Sequence, residues 1–169
     1  MSQLHAIFRS LISTPQPIDN LLERANRLLS ESTSSSHFAT LVSVRAMPTG
    51  HVEICNAGHC APLLVTKNGV TAFESIGLPL GIFFRTEYQC HTALLEPGDS
   101  LLLYTDGLTE ARDSADREYG EERLKNLAAS SRNLQPEEMI SGILKDLDAF
   151  RGVTSKPDDL TMLVLRRTA

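Results

Sequence analysis

Residues 101–111 read LLLYTDGLTEA, a stretch that joins a strand signal to a carboxylate at the strand's end. The apolar run 101–104 follows a Pro-Gly-Asp turn at 97–99, which predicts a short strand buried on both faces. Asp106 and Gly107 then end the strand. A carboxylate that is held by a sheet yet faces water suits a hard divalent cation, although Asp-Gly is also typical of an ordinary turn.

Length and composition narrow the class of protein. A chain of 169 residues with 41% hydrophobic content is expected to form one domain, spanning residues 1–169. The net charge of -5 opposes binding to nucleic acid. No apolar run reaches the roughly 20 residues of a membrane span, and residues 1–13 lack the layout of a secretory signal. We therefore expect a cytoplasmic protein without a membrane or nucleic-acid partner.

The three cysteines, Cys55, Cys60 and Cys90, do not show the spacing of a zinc site. Their number is odd, and no base stands beside Cys60 in the sequence to activate it as a nucleophile. The sequence therefore predicts three reduced thiols.

Apolar spacing predicts two amphipathic helices, at 4–11 and 18–29, followed by a polar loop at Ser30–Ser36. The next segments are β-rich and indicate a β meander with a hairpin turn at Met47–Gly50: 37–46, 51–57, 61–66, 70–74, 87–94 and 100–105. Two further helices are predicted around 124–128 and 136–150, and an apolar segment at 160–165 predicts a last strand. Helices on both sides of the strands indicate a layered α+β architecture.

A second pair of carboxylates, Asp158 and Asp159, stands just before the last predicted strand. If this strand neighbours the one that ends at Asp106, then Asp106 and Asp158 converge and bind Mg²⁺ or Mn²⁺. The chain offers no set of His and Cys residues for zinc. The alternative for Asp158 and Asp159 is a solvated turn.

The third motif is Asn56-Ala57-Gly58-His59, at the end of a predicted strand. Gly58 permits a tight turn, while Asn56 and His59 offer polar contacts to a phosphate or to metal-bound water. A turn histidine whose hydrogen bonds are satisfied locally is the alternative.

In this order, the motifs resemble the metal-dependent protein serine/threonine phosphatases of the PPM type, in their bacterial SpoIIE/RsbU-like branch. The resemblance covers nearly the whole chain after Phe38. It runs through Phe38–Leu41, Asn56–His59, Gly77–Gly81, Pro97–Asp99, Tyr104–Ala111, Tyr119–Gly120, Glu122–Leu124 and Asp158–Thr161.

The resemblance implies an αββα sandwich of antiparallel sheets flanked by helices. It also implies a centre of two Mn²⁺ or Mg²⁺ ions with Asp106 and Asp158 among the ligands, and with Gly107 or Asp159 as a further ligand or close neighbour. The loop of Asn56, Gly58 and His59 would lie at the active site. Metal-bound water, not a side chain, would attack the phosphoserine or phosphothreonine of a signalling phosphoprotein of the anti-sigma-factor-antagonist kind.

Two family motifs are missing from these 169 residues, an early Gly-Asp segment and a later Gly-His-Gly turn. All ten glycines lie at Gly50 or beyond, and Asp19 is the only aspartate before Asp99. The sequence therefore predicts an N-terminally truncated phosphatase domain with little or no activity alone, which self-associates through an exposed sheet edge. The alternatives are a catalytically inactive, phosphatase-like interaction module and an unrelated α+β ligand-binding domain.

Overall fold

The computed structural model describes residues 2–33, 37–152 and 159–168. The described chain contains five helices and seven strands, which confirms the predicted α+β class. In chain order they are α1 (Ser2–Ile12), α2 (Ile18–Ser32), β1 (Leu41–Ala46), β2 (His51–Ala57), β3 (Leu63–Thr66), β4 (Gly69–Ala72), β5 (Cys90–Leu94), β6 (Ser100–Tyr104), α3 (Asp106–Thr109), α4 (Glu121–Ser130), α5 (Pro136–Arg151) and β7 (Met162–Arg166).

The chain divides into two compact units, each with its own antiparallel sheet. The first unit comprises Met1–His59 and Glu74–Leu94, and the second comprises Cys60–Phe73 and Leu95–Ala169. No helix in the described ranges is long and apolar enough to cross a membrane.

The first unit packs α1 and α2 beside a three-stranded sheet in the order β1-β2-β5. β1 and β2 form the predicted hairpin, whose turn is closed by a hydrogen bond from Gly50 N–H to the carbonyl of Met47 at 2.9 Å. Apolar side chains from both helices and the strands form the core of this unit. Its buried members are Leu11, Ile18, Leu21, Leu22, Ala25, Leu29, Cys55, Ala57, Leu80 and Tyr88.

A buried amide of α2 holds the loop that precedes β5. Asn26 is 1% exposed, and its Nδ2 donates to the carbonyl of Phe83 at 2.9 Å. Its Oδ1 accepts a hydrogen bond from Gly81 N–H at 2.8 Å. Because a buried amide without partners costs free energy, these bonds fix where the loop passes the helix.

The prediction of three reduced cysteines is wrong in the structure, which contains a disulfide between Cys55 and Cys90. The two residues lie directly opposite each other on β2 and β5, with their Cα atoms 4.3 Å apart. They are separated by 35 residues in sequence, so no local spacing indicated the pairing. Cys60 is the free cysteine.

The second unit places α4 and α5 against a four-stranded sheet in the order β4-β3-β6-β7. A capping box opens α5: Gln135 N–H donates to Oε2 of Glu138 at 2.9 Å, and Pro136 occupies the first turn. The helix then buries one stripe, Met139, Ile143 and Leu147. The whole buried core is Leu63, Val65, Leu102, Tyr104, Leu108, Ala111, Tyr119, Leu124, Ala128, Met139, Ile143 and Leu147.

The predicted β meander is wrong, because beyond the hairpins β1–β2 and β3–β4 the strands of the meander do not pair in chain order. β5 returns to β2, while β6 pairs with β3 and β7. Strand alternation is a local signal, whereas the choice of partner strand depends on residues far away in the chain. The predicted loop Ser30–Ser36 is also partly wrong, because α2 continues to Ser32, and residues 34–36 lie outside the described ranges.

Candidate functional site

The end of β6 and the start of β7 meet in the second unit, as expected if Asp106 and the Asp158-Asp159 pair were to come together. β6 and β7 are antiparallel neighbours with Tyr104 opposite Met162. Thr105 joins the two ends: its N–H donates to the carbonyl of Thr161 at 3.1 Å, and its hydroxyl accepts a hydrogen bond from Thr161 N–H at 2.9 Å. The same hydroxyl donates to the carbonyl of Asp159 at 3.3 Å.

Asp106 stands directly after this joint as the first residue of α3, with an exposed side chain. Its Oδ1 accepts a hydrogen bond from Gly107 N–H at 2.9 Å. Its carbonyl accepts from Glu110 N–H at 2.8 Å, which closes the short helical turn. The carboxylate is therefore held by the backbone on one side and open to solvent on the other, as the sequence predicted.

Gly107 is buried, and its carbonyl accepts a hydrogen bond from Nη2 of Arg151 at 2.9 Å. Arg151 is the last residue of α5. This hydrogen bond helps to hold the turn that carries Asp106. The assignment of Gly107 as a further metal ligand stays a prediction.

Of the two remaining predicted carboxylates, Asp158 and Asp159, only Asp159 belongs to the described residues. Asp159 is exposed and lies two residues before Thr161, next to the joint with Thr105. Asp158, the second predicted metal ligand, lies outside the described residues. Its role and that of Asp159 stay predictions.

The exposed carboxylate of Asp106 has the donor chemistry of a ligand for Mn²⁺ or Mg²⁺, which prefer oxygen. One carboxylate does not make a complete site. Among residues 2–33, 37–152 and 159–168, no group of three or more His, Cys, Asp or Glu side chains is placed to hold a metal ion. The described part of the chain therefore fits one ligand of a metal centre and not the whole ligand set.

The Asn56–His59 loop belongs to the first unit, where the side chain of Asn56 supports the turn. Asn56 is 1% exposed. Its Nδ2 donates to the carbonyl of His59 at 3.0 Å, and its Oδ1 accepts from His59 N–H at 2.8 Å. Both the nitrogen and the oxygen of the side-chain amide therefore bond within the loop. Asn56 stabilises the turn through these two hydrogen bonds.

Gly58 is required at the tip of this loop. Its φ is +72°, and a Cβ added there would lie 2.5 Å from Cγ of Pro79. Gly58 N–H donates to the hydroxyl of Ser75 at 2.8 Å. The Ser75 hydroxyl also lies 3.0 Å from the carbonyl of Asn56, so the turn is bound to a second segment of the chain. Only glycine accepts this conformation and this close approach without strain.

The imidazole of His59 is half-buried, with Nδ1 3.1 Å from the hydroxyl of Thr40. This contact agrees with a turn histidine that is satisfied locally, the alternative that the sequence left open. A role of Asn56, Gly58 and His59 in phosphate binding stays a prediction.

Cys60 lies in the second unit and is half-buried. Burial raises the pKa of its thiol, and the nearby Asp106 carboxylate raises it further. A raised pKa lowers the thiolate fraction, which agrees with the prediction that Cys60 is not a nucleophile.

Sequence reasoning missed three side chains that support the candidate residues: Ser75, Thr105 and Arg151. The role of Thr105 could have been predicted, because a hydroxyl next to Asp106 at a strand end commonly forms hydrogen bonds with nearby backbone groups. Ser75 and Arg151 gave no local signal, since their partners lie 17 and 44 residues away.

The chain matches known proteins along nearly its whole length. The family model for Stage II sporulation protein E (SpoIIE) matches residues 1–168. Phosphoserine phosphatase RsbU of Bacillus subtilis is 27% identical over 170 residues, covering 99% of this chain and 50% of that protein. The chain spans half or less of the length of the curated relatives it matches.

Solved structures agree with the fold. The RsbU and RsbW domains of Rv1364c from Mycobacterium tuberculosis match with 30% identity and a TM-score of 0.79, covering 100% of this chain and 47% of that one. The SiaA-PP2C domain of Pseudomonas aeruginosa matches with 17% identity and a TM-score of 0.83, covering 98% and 66%, and it supports the fold alone. An unrelated α+β ligand-binding domain, the third alternative from the sequence, is contradicted by these matches.

Proposed function

Because the chain belongs to the SpoIIE family of PP2C-type phosphatases, we propose that it contributes the catalytic domain of a metal-dependent protein serine/threonine phosphatase. Its substrate is a bacterial signalling phosphoprotein of the anti-sigma-factor-antagonist kind, in the cytoplasm. The name of the relative Phosphoserine phosphatase RsbU supports phosphoserine as the group that is hydrolysed. Residues 1–169 belong to one such domain in this proposal.

The observation that carries the proposal is the joint between β6 and β7. Thr105 binds the backbone of both Thr161 and Asp159, and Asp106 follows it immediately. Two segments that are 54 residues apart thus present acidic side chains at one end of one sheet. A rigid sheet end is a better support for a metal ligand than a free loop, because the ligand loses less conformational entropy on binding.

The chain's own residues orient the metal ligand and do not act as nucleophile. Arg151 stabilises the turn by donating a hydrogen bond to the carbonyl of Gly107, and the N–H of Gly107 orients Oδ1 of Asp106. When bound, a pair of Mn²⁺ or Mg²⁺ ions lowers the pKa of water and neutralises phosphoryl oxygens. Asp106 and Asp158 are the residues proposed to hold them.

The few side chains that could bind the metal ions lead us to expect little or no hydrolysis by this chain alone. Hard cations of this size take about six oxygen ligands, and carboxylates carry most of the neutralising charge. The described residues provide no group of three ligands, so a cation bound by Asp106 and Asp158 is held mainly by water. Such a cation binds weakly and exchanges fast.

Calorimetric titration with Mn²⁺ tests the metal site, with Asp106→Asn as the diagnostic variant. Wild type is expected to give a weak, saturable heat that Asp106→Asn abolishes. Asp148→Asn removes the same charge from an exposed position on α5 and is expected to bind like wild type. Equal heats from Asp106→Asn and wild type would refute Asp106 as a ligand.

Hydrolysis of a phosphoserine peptide by the purified 169-residue chain tests the activity itself. We expect release of phosphate near the rate of a protein-free control containing Mn²⁺. Robust Mn²⁺-dependent turnover that Asp106→Asn removes would overturn the prediction of low activity, while it would support the assignment as an enzyme.

A second candidate function rests on the same incomplete donor set: a catalytically inactive, phosphatase-like module that binds a partner protein. In that case wild type gives neither metal-dependent heat nor turnover, yet it binds the phosphorylated and unphosphorylated forms of a partner. Saturable Mn²⁺ heat that depends on Asp106 separates the enzyme from this module.

A further inference from the structure

The disulfide between Cys55 and Cys90 lies at one end of the ladder between β2 and β5. These two cysteines form the last pair of a register that begins with His51 opposite Leu94. The residue after Cys55 is Asn56, the first residue of the Asn56–His59 loop. The bond therefore closes the sheet of the first unit at the point where the candidate loop leaves it.

The segment 74–89, which leads into β5, is bound to the same loop. The hydroxyl of Ser75 accepts a hydrogen bond from Gly58 N–H at 2.8 Å. Gly77 forms an isolated β-bridge with Ala57, the last residue of β2. The loop is thus supported by a segment whose far end is held by the disulfide.

Tyr88 connects the disulfide to Gly77 through close packing. It precedes Cys90 by two residues and is 4% exposed. A Cβ added at Gly77 would lie 2.6 Å from Cδ1 of Tyr88, so the ring packs directly against the backbone of Gly77. Because a close-packed interior has little free space, a displacement of Cys90 is passed through Tyr88 to the bridge at Ala57.

The reduced cysteine pair needs more room than the disulfide. Two bonded sulfur atoms lie about 2 Å apart, whereas non-bonded heavy atoms keep about 3.5 to 4 Å. The Cα atoms of Cys55 and Cys90 are only 4.3 Å apart, and Cys55 is fully buried in the core. Its thiol cannot turn into solvent, so reduction favours separation of this last pair of the ladder.

We propose that the Cys55–Cys90 pair is a reversible redox switch of the Asn56–His59 loop. The disulfide holds the loop in the conformation described above, and reduction loosens it by separating the end of β5 from β2. The switch acts within the first unit, to which both cysteines, the loop and the segment 74–89 belong.

The reductant is a low-molecular-weight thiol of the glutathione kind. Its thiolate attacks Sγ of Cys90, because Cys90 is half-buried whereas Cys55 is fully buried. The protein S–S bond breaks, and the sulfur of Cys55 leaves and takes up a proton. A second small thiol attacks the mixed disulfide, which releases Cys90 as a thiol and a small-molecule disulfide. Two electrons thus pass from two small thiols to the protein, and the reverse exchange restores the bond.

The proposed location agrees with a reversible bond. In the cytoplasm, disulfides are usually transient or redox-sensing. This argument alone rests on the proposed function. The switch itself concerns the conformation of the loop, so it can be tested on the purified chain without any measurement of phosphatase activity.

Thiol counting in mixtures of reduced and oxidised glutathione tests the redox couple. The Cys60→Ser variant leaves only Cys55 and Cys90 to react. We expect no maleimide-reactive thiol under oxidising conditions and two under reducing conditions, with the same transition in both directions. Circular dichroism should show a folded protein at both ends of the series. A pair that resists reduction until the chain unfolds would overturn the proposal.

Amide hydrogen exchange tests the effect on the loop, with Gly50 as an internal control. Gly50 N–H bonds to the carbonyl of Met47 at 2.9 Å in the turn before the opposite end of β2. We expect reduction of wild type to speed exchange at Gly58 about tenfold or more and to change exchange at Gly50 less than twofold. No change at Gly58, or an equal change at both glycines, would refute the switch.

A variant with Cys55→Ser and Cys90→Ser controls for the reductant. It keeps two small polar side chains at the same positions without the covalent bond. Exchange at Gly58 in this variant should match that of reduced wild type, both with and without reductant. A rate that matches oxidised wild type would show that the bond does not control the loop.

Discussion

Arg151 Nη2 donates a hydrogen bond to the carbonyl oxygen of Gly107 at 2.9 Å, joining the last residue of α5 to the turn that carries Asp106. The two residues are 44 positions apart in the chain. A charged donor on a half-buried carbonyl is stronger than a bond between neutral groups. The position of the candidate metal ligand therefore depends on where the long helix ends.

Replacement of Arg151 by methionine, which keeps an unbranched chain without the donor, is expected to lower the free energy of unfolding by about 1 to 2 kcal/mol. The variant should also bind Mn²⁺ more weakly, because the turn at Asp106 loses a support. Urea unfolding and calorimetry measure the two effects. Arg27→Met removes the same charge from an exposed position on α2 and should change neither. If the two variants behave alike, the contact has no role in positioning Asp106.

The disulfide between Cys55 and Cys90 closes a loop of 35 residues. Restriction of the unfolded chain by a loop of this length stabilises the fold by about 3 to 4 kcal/mol in the chain-entropy model. We expect reductant to lower the urea midpoint of wild type by the corresponding amount and to leave a Cys55→Ser, Cys90→Ser variant unchanged.

Thiol titration of the denatured, non-reduced protein counts the free cysteines. One reactive thiol, from Cys60, is expected, and three would show that the disulfide does not form. Because burial and Asp106 raise the pKa of Cys60, its labelling in the folded protein should be slow at neutral pH and faster as the pH rises.

Two substitutions of glycine by alanine should change the stability of the fold in opposite directions. Gly58→Ala places a Cβ within 2.5 Å of Pro79 at a positive φ, so it should destabilise the fold by about 2 kcal/mol or more. Gly142→Ala, inside α5, meets no atom within 4 Å, so it should stabilise by about 0.5 to 1 kcal/mol. Thermal unfolding of both variants measures the pair. A neutral Gly58→Ala would contradict the tight turn described for the Asn56–His59 loop.

Asp146 links α4 and α5 through a bidentate pair with Arg123, at 2.7 and 2.9 Å, and accepts a hydrogen bond from the hydroxyl of Tyr119 at 2.8 Å. The bonds from Arg123, and then that from Tyr119, hold the pKa of Asp146 below its ordinary value. A lowered pKa in the folded state contributes stability above the unfolded pKa of about 3.9, and this stability is lost as the pH falls through the folded pKa.

Asp146→Asn should therefore lower the free energy of unfolding by about 1 kcal/mol at pH 7, a modest amount because solvent screens this partly exposed pair. The difference from wild type should shrink below about pH 4, where protonation removes the charge from wild type as well. Urea unfolding at several pH values measures it, with Asp148→Asn as the charge-matched control. A difference that does not change with pH would refute the role of the carboxylate charge.

The helices and strands were largely predictable because their signals are local. The apolar spacing of α2 and α5 and the alternation of β2 identify each element within a few residues. The ends were less certain: β3 begins at Leu63 and not at Ala61, and β5 begins at Cys90 and not at Glu87. A strand ends where its hydrogen bonds to the partner strand stop. The sequence of one strand does not determine that position.

The strand pairing beneath the candidate site was predictable, and its supports were not. Asp106 and Asp158 were expected to converge at the ends of two neighbouring strands, and β6 and β7 are such neighbours, with Thr105 bonded to Asp159. The motif itself carried that information, because two acidic residues each end or begin a buried strand. Asp158 lies outside the described residues, so its convergence with Asp106 stays a prediction. The supports from Arg151 and Ser75 come from distant segments, for which spacing has no signal.

By itself, the sequence determined the α+β class and the family, because periodicity and motifs lie in adjacent positions, and it predicted the residues that are proposed to carry the chemistry. The tertiary structure alone decided that β5 pairs with β2, that Cys55 meets Cys90, and that β6 lies between β3 and β7. Each of these depends on which distant segments come into contact, and that choice is made by the packing of the whole chain.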